Sequence, residues 1–256
     1  MAADLVPEDG WVFLRRHTAA RIALGRSGGS LPTRETLGLA YAQALARDAV
    51  RAPFDPHALA AALRPLAPDV LVLESAAPDR AAFLARPDLG RRLSERSAAL
   101  LAALPRSDPP PTLAIVVSDG LSALAAERQA SPLLAELLPL LRAHGFRLAP
   151  LVVVRHARVG LLDPVGSALG AEMALILLGE RPGLGTPDSL GAYLAYGPGP
   201  GRTDADRNCV SNIRPEGLVA REAAARIAGL LAAAREFRLT GPALKEPPSR
   251  PSLGAK

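Results

Sequence analysis

Four short apolar runs constrain the fold of this chain more than any other feature of its sequence. Runs of this length, bounded by polar or Gly- and Pro-containing segments, are typical of strands that are buried on both faces of a sheet. The last run ends in ALILLG at residues 174–179, which contains no polar side chain. The predicted strands cover residues 70–73, 113–117, 149–154 and 172–178.

Helical patterns lie between these runs and after the last of them. The predicted helices cover residues 89–104, 132–144, 164–169 and 218–239. Gly145 directly follows one of them, in the position where helices commonly end. Strands that alternate with helices indicate an α/β fold with right-handed crossovers. We therefore predict a Rossmann-like, mostly parallel sheet with flanking helices.

Residues 1–68 have a different pattern and predict a small helical amino-terminal unit. One helix is expected over residues 33–48, with Thr33 as its N-cap, and a second over residues 56–63. The apolar face of the first helix is expected to contain Leu37, Tyr41, Ala44 and Leu45.

The two ends of the chain are expected to be less regular. Residues 1–14 predict an arm that becomes ordered on contact, with Trp11 and Phe13 as its anchors. Residues 69–256 form the predicted Rossmann-like domain, and its tail from residue 241 is expected to be loose.

Three polar turns directly follow predicted strands. Ligands of open α/β sheets bind beyond the carboxyl ends of the strands. We therefore expect these turns to meet at a ligand-binding edge of the sheet. They lie at residues 118–120, 155–158 and 180–183.

Residues 180–217 form a long polar segment, rich in Gly and Pro, in which only residues 192–196 predict a short strand. So long an irregular segment in a compact domain is usually functional or disordered. Side chains that resist exposure to water argue against disorder. They are Tyr193, Tyr196, Cys209, Val210 and Ile213. We therefore predict a binding surface for a large ligand at the carboxyl edge of the sheet.

The positive charge is scattered along the chain rather than gathered in one block. The net charge is +5, and Lys occurs only at Lys245 and Lys256, so that nearly all basic residues are Arg. A nucleic-acid-binding face requires clustered basic residues with interleaved aromatic ones, and only 4% of the residues are aromatic. We therefore predict no nucleic-acid partner and assign the Arg residues to solvated surfaces or subunit interfaces.

Membrane insertion and secretion are not expected either. No apolar run approaches the roughly 20 residues that a membrane span needs. The amino terminus carries acidic residues and lacks the basic start of a secretory signal. The single cysteine, Cys209, cannot form an internal disulfide, which fits a reducing compartment such as the cytoplasm.

Cys209 is a candidate nucleophile, which would require a base nearby. Among the four histidines, His156 at a strand end is the one placed to approach it. The alternative is that a lone thiol is a small buried residue. Glu180 also has two possible interpretations, as a local ion-pair partner or as a ligand contact.

Metal and nucleotide sites lack their usual patterns, and we predict no metal site. The acidic residues that could hold a hard cation alternate with arginines, which favours ion pairs that stiffen the loop. The acids are Asp204, Asp206 and Glu216, and the arginines are Arg202, Arg207 and Arg214. The glycines at residues 179–185 do not have dinucleotide-binding spacing, and the loop at residues 25–29 is not a P-loop.

Several longer motifs resemble the small (light) subunit of ethanolamine ammonia-lyase. The most specific are GERPG and DADRNCVSNI. The motifs lie at residues 86–93, 117–122, 158–159, 179–183 and 204–213. The resemblance covers residues 18–237, and motifs of this length are more specific than a lone Gly-rich loop.

The resemblance implies an adenosylcobalamin-dependent lyase that converts ethanolamine into acetaldehyde and ammonia. A large TIM-barrel subunit would hold the substrate and run the radical chemistry, and the domain at residues 69–256 would form the cobalamin-binding floor against it. The cofactor contacts of the family fall on Val159, Glu180 and Cys209, and no catalytic residue is assigned to this chain. Since no Asp-x-His-x-x-Gly motif occurs, no histidine is expected to replace the benzimidazole on cobalt.

The location and two other interpretations stay open. The family often carries a longer amino-terminal extension linked to packaging, and few residues precede residue 18 here, so that both the cytoplasm and the interior of a bacterial microcompartment remain tenable. The chain could also be a stand-alone α/β enzyme that uses Cys209, or an assembly module that binds no small ligand.

Overall fold

The computed structural model of this chain describes residues 9–18 and 20–244, and within them six strands form one sheet. The strand order across the sheet is β1-β3-β2-β4-β5-β6. The strands are β1 (Val70–Glu74), β2 (Leu113–Ser118), β3 (Leu151–Arg155), β4 (Met173–Gly179), β5 (Leu190–Tyr196) and β6 (Asn208–Ile213).

The first four strands form the parallel part of the sheet. β3 pairs with β1 on one side and β2 on the other, and β2 also pairs with β4, all in parallel. Every residue of β2 and β4 is buried, as expected for parallel strands that helices cover on both faces. The predicted α/β fold with a mostly parallel sheet is thus confirmed, and the Rossmann-like classification stays a prediction.

β5 and β6 extend the sheet in antiparallel orientation and correct the prediction for residues 180–217. The sequence predicts a single short strand at residues 192–196, whereas the structure has a longer one there and a second one after it. Only Val210 and Ile213 of β6 are buried. This edge strand therefore has too few apolar positions to be visible as an apolar run.

The described residues also form seven α-helices, which cover both faces of the sheet. They are α1 (Thr33–Arg51), α2 (Pro56–Leu63), α3 (Arg80–Ala85), α4 (Glu95–Ala102), α5 (Ala123–Ala143), α6 (Leu162–Ala168) and α7 (Ala220–Phe237). One face of the sheet packs against α2, α5 and α7, and the other packs against α4 and α6. The core therefore lies in two apolar layers on either side of the sheet.

The predicted helix over residues 89–104 is wrong in its first half. A 3₁₀ turn at Leu89–Arg91 comes first, and α4 begins only at Glu95. Ser94 is the N-cap, because its hydroxyl accepts a hydrogen bond from the N–H of Ser97 at 3.2 Å. The cap separates the two elements, and the sequence also fails to predict the short helix α3.

The predicted helix over residues 132–144 begins earlier than expected, at Ala123. Ser122 caps it, with its hydroxyl accepting a backbone N–H at 3.2 Å. Pro132 and Pro139 lie inside the helix. The predicted start at Pro132 is therefore wrong. The alanines that precede it have high helix propensity, and with the cap they extend the helix backwards.

Helix α1 begins at Thr33, but the predicted cap is wrong, because Pro32 is the N-cap and no side chain in the described part of the chain caps the helix. The helix also packs through a different face than predicted. Its buried residues are Ala42 and Ala49. Leu37 and Tyr41, on the predicted apolar face, are 64% and 67% exposed. The predicted burial of this face is therefore wrong, because the helix packs through its small alanine side chains and leaves the larger ones outward.

The arm contains a 3₁₀ helix at Val12–His17. Trp11 and Phe13 are 65% and 48% exposed and lie beside each other, with ring centroids 6.1 Å apart. These two side chains therefore do not hold the arm against the rest of this chain, and their role as anchors on contact stays a prediction. Arg15 holds the segment instead, because its guanidinium donates to the carbonyl oxygens of residues 22–23 at 3.0 and 2.9 Å.

The remaining sequence predictions concern the two ends of the chain, the domain boundary and membrane insertion. Most of the tail at residues 241–256 lies outside the described residues, as do residues 1–8 of the arm. The domain boundary after residue 68 stays a prediction. Among the helices that the structure describes, none has the length and hydrophobicity to cross a membrane.

Candidate functional site

A cleft of about 490 Å³ opens at the carboxyl ends of β2, β3 and β4. The turns after these strands all contribute to its walls, so that their predicted convergence is confirmed. Tyr193 of β5 and Ser211 of β6 complete the wall on the antiparallel side. A smaller cavity, of about 280 Å³, lies near residues 104–111 at the amino ends of the strands, where α/β sheets do not usually bind ligands.

Two glycines form the floor of the cleft by letting the turn after β2 approach the end of β4 closely. Gly120 has a φ of +49°, and a Cβ there would lie 2.4 Å from the carbonyl oxygen of Gly179. A Cβ on Gly179 would lie 2.1 and 2.3 Å from the carbonyl oxygens of Ser122 and Asp119. The N–H of Leu121 donates to the Gly179 carbonyl at 2.8 Å. The floor is therefore bare backbone that tolerates no side chain.

Asp119, buried beneath the cleft, ties two of its turns together. One carboxylate oxygen accepts the backbone N–H of His156 at 2.7 Å. The other lies 3.1 Å from Nδ1 of His156 and 2.7 Å from Nη1 of Arg80. Arg80 also donates to the Gly120 carbonyl at 2.6 Å, and the His156 ring stacks on Phe83. This network fixes the turns after β2 and β3 relative to each other.

Glu180, half-buried at the end of β4, is held by three donors. It accepts hydrogen bonds from the hydroxyls of Ser189 and Ser211, both at 2.5 Å, and from the N–H of Asn212 at 3.2 Å. Within the part of the chain that the structure describes, no basic side chain forms an ion pair with this carboxylate, so the ion-pair interpretation is wrong. A carboxylate has about four lone-pair sites, which leaves acceptor capacity for a ligand.

Val159 lines the same cleft from the turn after β3. It is half-buried and begins a 3₁₀ turn, Val159–Leu161. The preceding residue, Arg158, donates its backbone N–H to the carbonyl of Gly90 at 2.7 Å. The turn is therefore held in place, and Val159 presents an apolar side chain and nearby backbone groups to the cleft.

Cys209 lies on β6, with Tyr193 of β5 as its register partner. The residue is open to solvent, but protein atoms near the sulfur remove much of its hydration. This loss raises the pKa of the thiol to about 11; a hydrogen bond with Tyr193 opposes the shift, and the charge of Glu180 adds to it. No hydrogen bond joins Cys209 to His156 in the described residues. His156 faces Asp119 instead, so the pairing that a nucleophilic Cys209 would require does not form.

Two of the three acidic residues in the loop before β6 and the turn after it are paired with arginine, whereas Asp206 accepts hydrogen bonds from Thr203 instead. Asp204 binds both Arg91 and Arg207, and Glu216 binds Arg214 at 3.3 Å. The ion pairs predicted from the alternating charges are thus confirmed at these two acids. Across residues 9–18 and 20–244, no group of three or more His, Cys, Asp or Glu residues could hold a metal ion.

The family model described as ethanolamine ammonia-lyase light chain (EutC) matches residues 8–245. The chain belongs to the ethanolamine ammonia-lyase light chain family. Proteins named ethanolamine ammonia-lyase small subunit are similar to it along most of their length. The one from Ralstonia nicotianae is 50% identical over 251 residues, which are 98% of this chain and 93% of that protein. The one from Azotobacter vinelandii is 52% identical over 240 residues, which are 93% and 89% of the two chains.

Family membership confirms the resemblance that the sequence motifs indicate. In the fold, the GERPG motif begins at the last residue of β4, and DADRNCVSNI covers the turn before β6 and the strand itself. Of the three residues that the resemblance assigns to ligand binding, the structure brings Val159 and Glu180 together in the cleft. It places Cys209 on the adjoining strand, opposite a residue of the cleft wall.

Three arginines in the cleft wall are not among the residues that the sequence patterns predict for the site. They are Arg91, Arg158 and Arg181. Each lies within one of the motifs that carry the family resemblance, and two of them lie directly beside a predicted site residue. Their positions inside these motifs are the feature from which the sequence could have identified them as site residues.

Proposed function

We propose that this chain is the cofactor-binding subunit of an ethanolamine ammonia-lyase, which converts ethanolamine into acetaldehyde and ammonia with adenosylcobalamin. One observation carries the proposal: in a chain of the light chain family, Val159 and Glu180 line one open cleft at the carboxyl edge of the sheet. Relatives named as a small subunit imply a large one. That large subunit would complete the site and hold the substrate.

The cleft has the properties that one edge of cobalamin needs. Its floor at Gly120 and Gly179 is bare backbone, which lets a broad, flat ligand approach closely. Glu180 offers a fixed acceptor to the amide and hydroxyl groups at the rim of the cofactor. The volume of a corrinoid exceeds that of this cleft, which is about 490 Å³. A second chain must therefore cover the rest, which supports a site shared between two subunits.

Bound adenosylcobalamin supplies the carbon–cobalt bond whose homolysis starts the reaction. The residues of this chain have the separate task of binding, orienting and shielding. Glu180 accepts hydrogen bonds from the cofactor, while Val159 packs against it and offers backbone groups. Tyr193 and Cys209 form a side wall that limits the access of water.

No residue of this chain is proposed to be catalytic. With a pKa of about 11, the thiol of Cys209 is protonated at neutral pH and is a weak nucleophile. His156 is engaged by Asp119. Both observations weigh against a stand-alone enzyme that uses Cys209. The hypothesis of an assembly module without a ligand does not explain the glycine floor or the oriented carboxylate of Glu180.

Co-expression with a large subunit of the same enzyme tests the proposal. We expect the purified complex to release ammonia from ethanolamine only when adenosylcobalamin is added, and each subunit alone to release none. An assembled complex without cofactor-dependent ammonia release would contradict the proposal. Turnover by the isolated chain that is lost in Cys209→Ala would instead support the stand-alone enzyme. Either the cytoplasm or a bacterial microcompartment is compatible with the proposal.

A further inference from the structure

The cleft carries more positive charge than its own carboxylates neutralise. Three arginines line it, Arg91, Arg158 and Arg181, together with the acids Glu180 and Asp204. Asp204 already binds Arg91 and a second arginine outside the cleft. Glu180 is held by hydroxyl and N–H donors. Two guanidinium groups in the cleft therefore have no carboxylate partner among the described residues.

Arg158 is half-buried, and no carboxylate pairs with it in the part of the chain that the structure describes. Its guanidinium lies over the ring of Phe83, 4.3 Å from the centroid, and Nη2 donates to the Phe83 carbonyl at 3.3 Å. Its Nε atom is buried without a hydrogen-bond partner. Loss of hydration lowers the pKa of Arg158, and repulsion by Arg80, Arg181 and Arg91 lowers it further, while the charge of Asp119 opposes the shift without reversing it. Holding a cation there is costly unless an anion compensates.

Arg181 reaches the same cleft from the turn after β4. Its side chain is exposed and forms no hydrogen bond or ion pair within residues 9–18 and 20–244. Its backbone is restricted because Pro182 follows, and Glu180 before it is fixed by its hydrogen bonds. Two arginines from separate turns thus face one cleft from positions that the fold sets.

We propose that Arg158 and Arg181 bind the phosphate diester in the nucleotide loop of the cofactor. This inference rests on the proposed function. The phosphate is the anionic group of cobalamin, whereas the amides around the ring are neutral and need no cationic partner. A guanidinium group presents paired donors to phosphate oxygens. Ethanolamine is a cation at neutral pH, so the same arginines disfavour the substrate here and leave it to the large subunit.

Two corrinoids that differ only in a phosphate test this proposal: adenosylcobinamide and adenosylcobinamide phosphate. Equilibrium dialysis against the assembled two-subunit complex, followed by corrinoid absorbance, gives both dissociation constants. We expect the wild-type complex to bind the phosphate form about tenfold more tightly, the effect of one charge-assisted hydrogen bond. Arg158→Gln and Arg181→Gln should each reduce this preference several-fold. Arg226→Gln, on the exposed side of α7, should leave it unchanged.

The possible failures are distinguishable. Variants that weaken both corrinoids equally, or that keep the full preference, would contradict the proposal. Arg158 packs on Phe83, so Arg181→Gln, which changes an exposed side chain, keeps the test valid if Arg158→Gln misfolds. A wild-type complex that binds both corrinoids equally would refute this inference alone, as would tight binding of inorganic phosphate without a corrinoid preference. A complex that binds adenosylcobalamin but neither truncated corrinoid would contradict this inference alone. A complex that does not bind adenosylcobalamin either would refute the proposed function and this inference with it.

Discussion

The carboxylate of Glu180, at the end of β4, accepts a hydrogen bond from the hydroxyl of Ser211, on β6, at 2.5 Å. Because β5 lies between these two strands in the sheet, the bond spans the antiparallel part and closes one wall of the cleft. The orientation of the acid is therefore set by the fold before any ligand arrives, which is the condition for a strong contact to an amide.

Replacing Glu180 should weaken cofactor binding without abolishing it. We expect Glu180→Ala to raise the apparent dissociation constant of adenosylcobalamin about tenfold, since one charge-assisted hydrogen bond is lost. Titration of the two-subunit complex, followed by corrinoid absorbance, measures this constant. Glu222→Ala, on the exposed face of α7, is the matched control. Equal constants for wild type and Glu180→Ala would show that this acid does not contact the cofactor.

The glycine floor predicts a large and local effect on stability. A Cβ at Gly179 would lie 2.1 Å from a backbone oxygen, so that Gly179→Ala forces the main chain apart. We expect it to lower the free energy of unfolding by about 3 kcal/mol. Gly229→Ala is the control, because Gly229 lies inside α7 with no atom near its added Cβ. That variant should gain about 0.5–1 kcal/mol. Urea denaturation measures both, and equal midpoints for Gly179→Ala and wild type would contradict the close approach.

The buried network around Asp119 predicts a second stability effect. Asp119→Ala leaves Arg80 and the backbone N–H of His156 without their acceptor, and loss of one partner from a buried ion pair costs about 3–5 kcal/mol. We expect a decrease of this size in the free energy of unfolding. Asp88→Ala, which removes exposed ion pairs with Arg86 and Arg92, should unfold at the wild-type urea concentration. Similar midpoints for the two variants would mean that the Asp119 network adds no stability.

The sequence predicts the parallel sheet well because its signal is local. Strands buried on both faces read as unbroken apolar runs, and the turns after them must meet at one edge. Val159 and Glu180 follow two such strands, so the sequence alone places them at the same edge. The pattern of apolar runs misses β6, since an edge strand with only Val210 and Ile213 buried looks like a loop.

Pairings between distant residues cannot be predicted from local patterns. Asp204 could bind several arginines by sequence proximity, yet one of its partners is Arg91, 113 positions earlier in the chain. Because Asp204 pairs with Arg91 and Arg207, it does not neutralise Arg158 or Arg181. The same limit applies to His156, whose position at a strand end suggests a base for Cys209, while in the fold it binds Asp119.

The thiol of Cys209 should react slowly at neutral pH and faster as the pH rises. Only the thiolate is nucleophilic, and with a pKa of about 11 in the folded chain roughly one thiol in a thousand is ionised at pH 8. We expect the rate of alkylation by iodoacetamide to increase about tenfold per pH unit between pH 7 and 9, without a plateau. Mass spectrometry of the product follows this rate directly, because the chain has a single cysteine.

The same thiol in the urea-unfolded chain is the control for this prediction. Its pKa there should return to about 8.5, so that at pH 8 the unfolded chain should be alkylated roughly two orders of magnitude faster than the folded one. The sign follows from the raised pKa, since the fold favours the protonated thiol. A rate for the folded chain that levels off near neutral pH would reveal a stabilised thiolate. It would contradict the wall-forming role of Cys209 and favour a stand-alone enzyme that uses this cysteine.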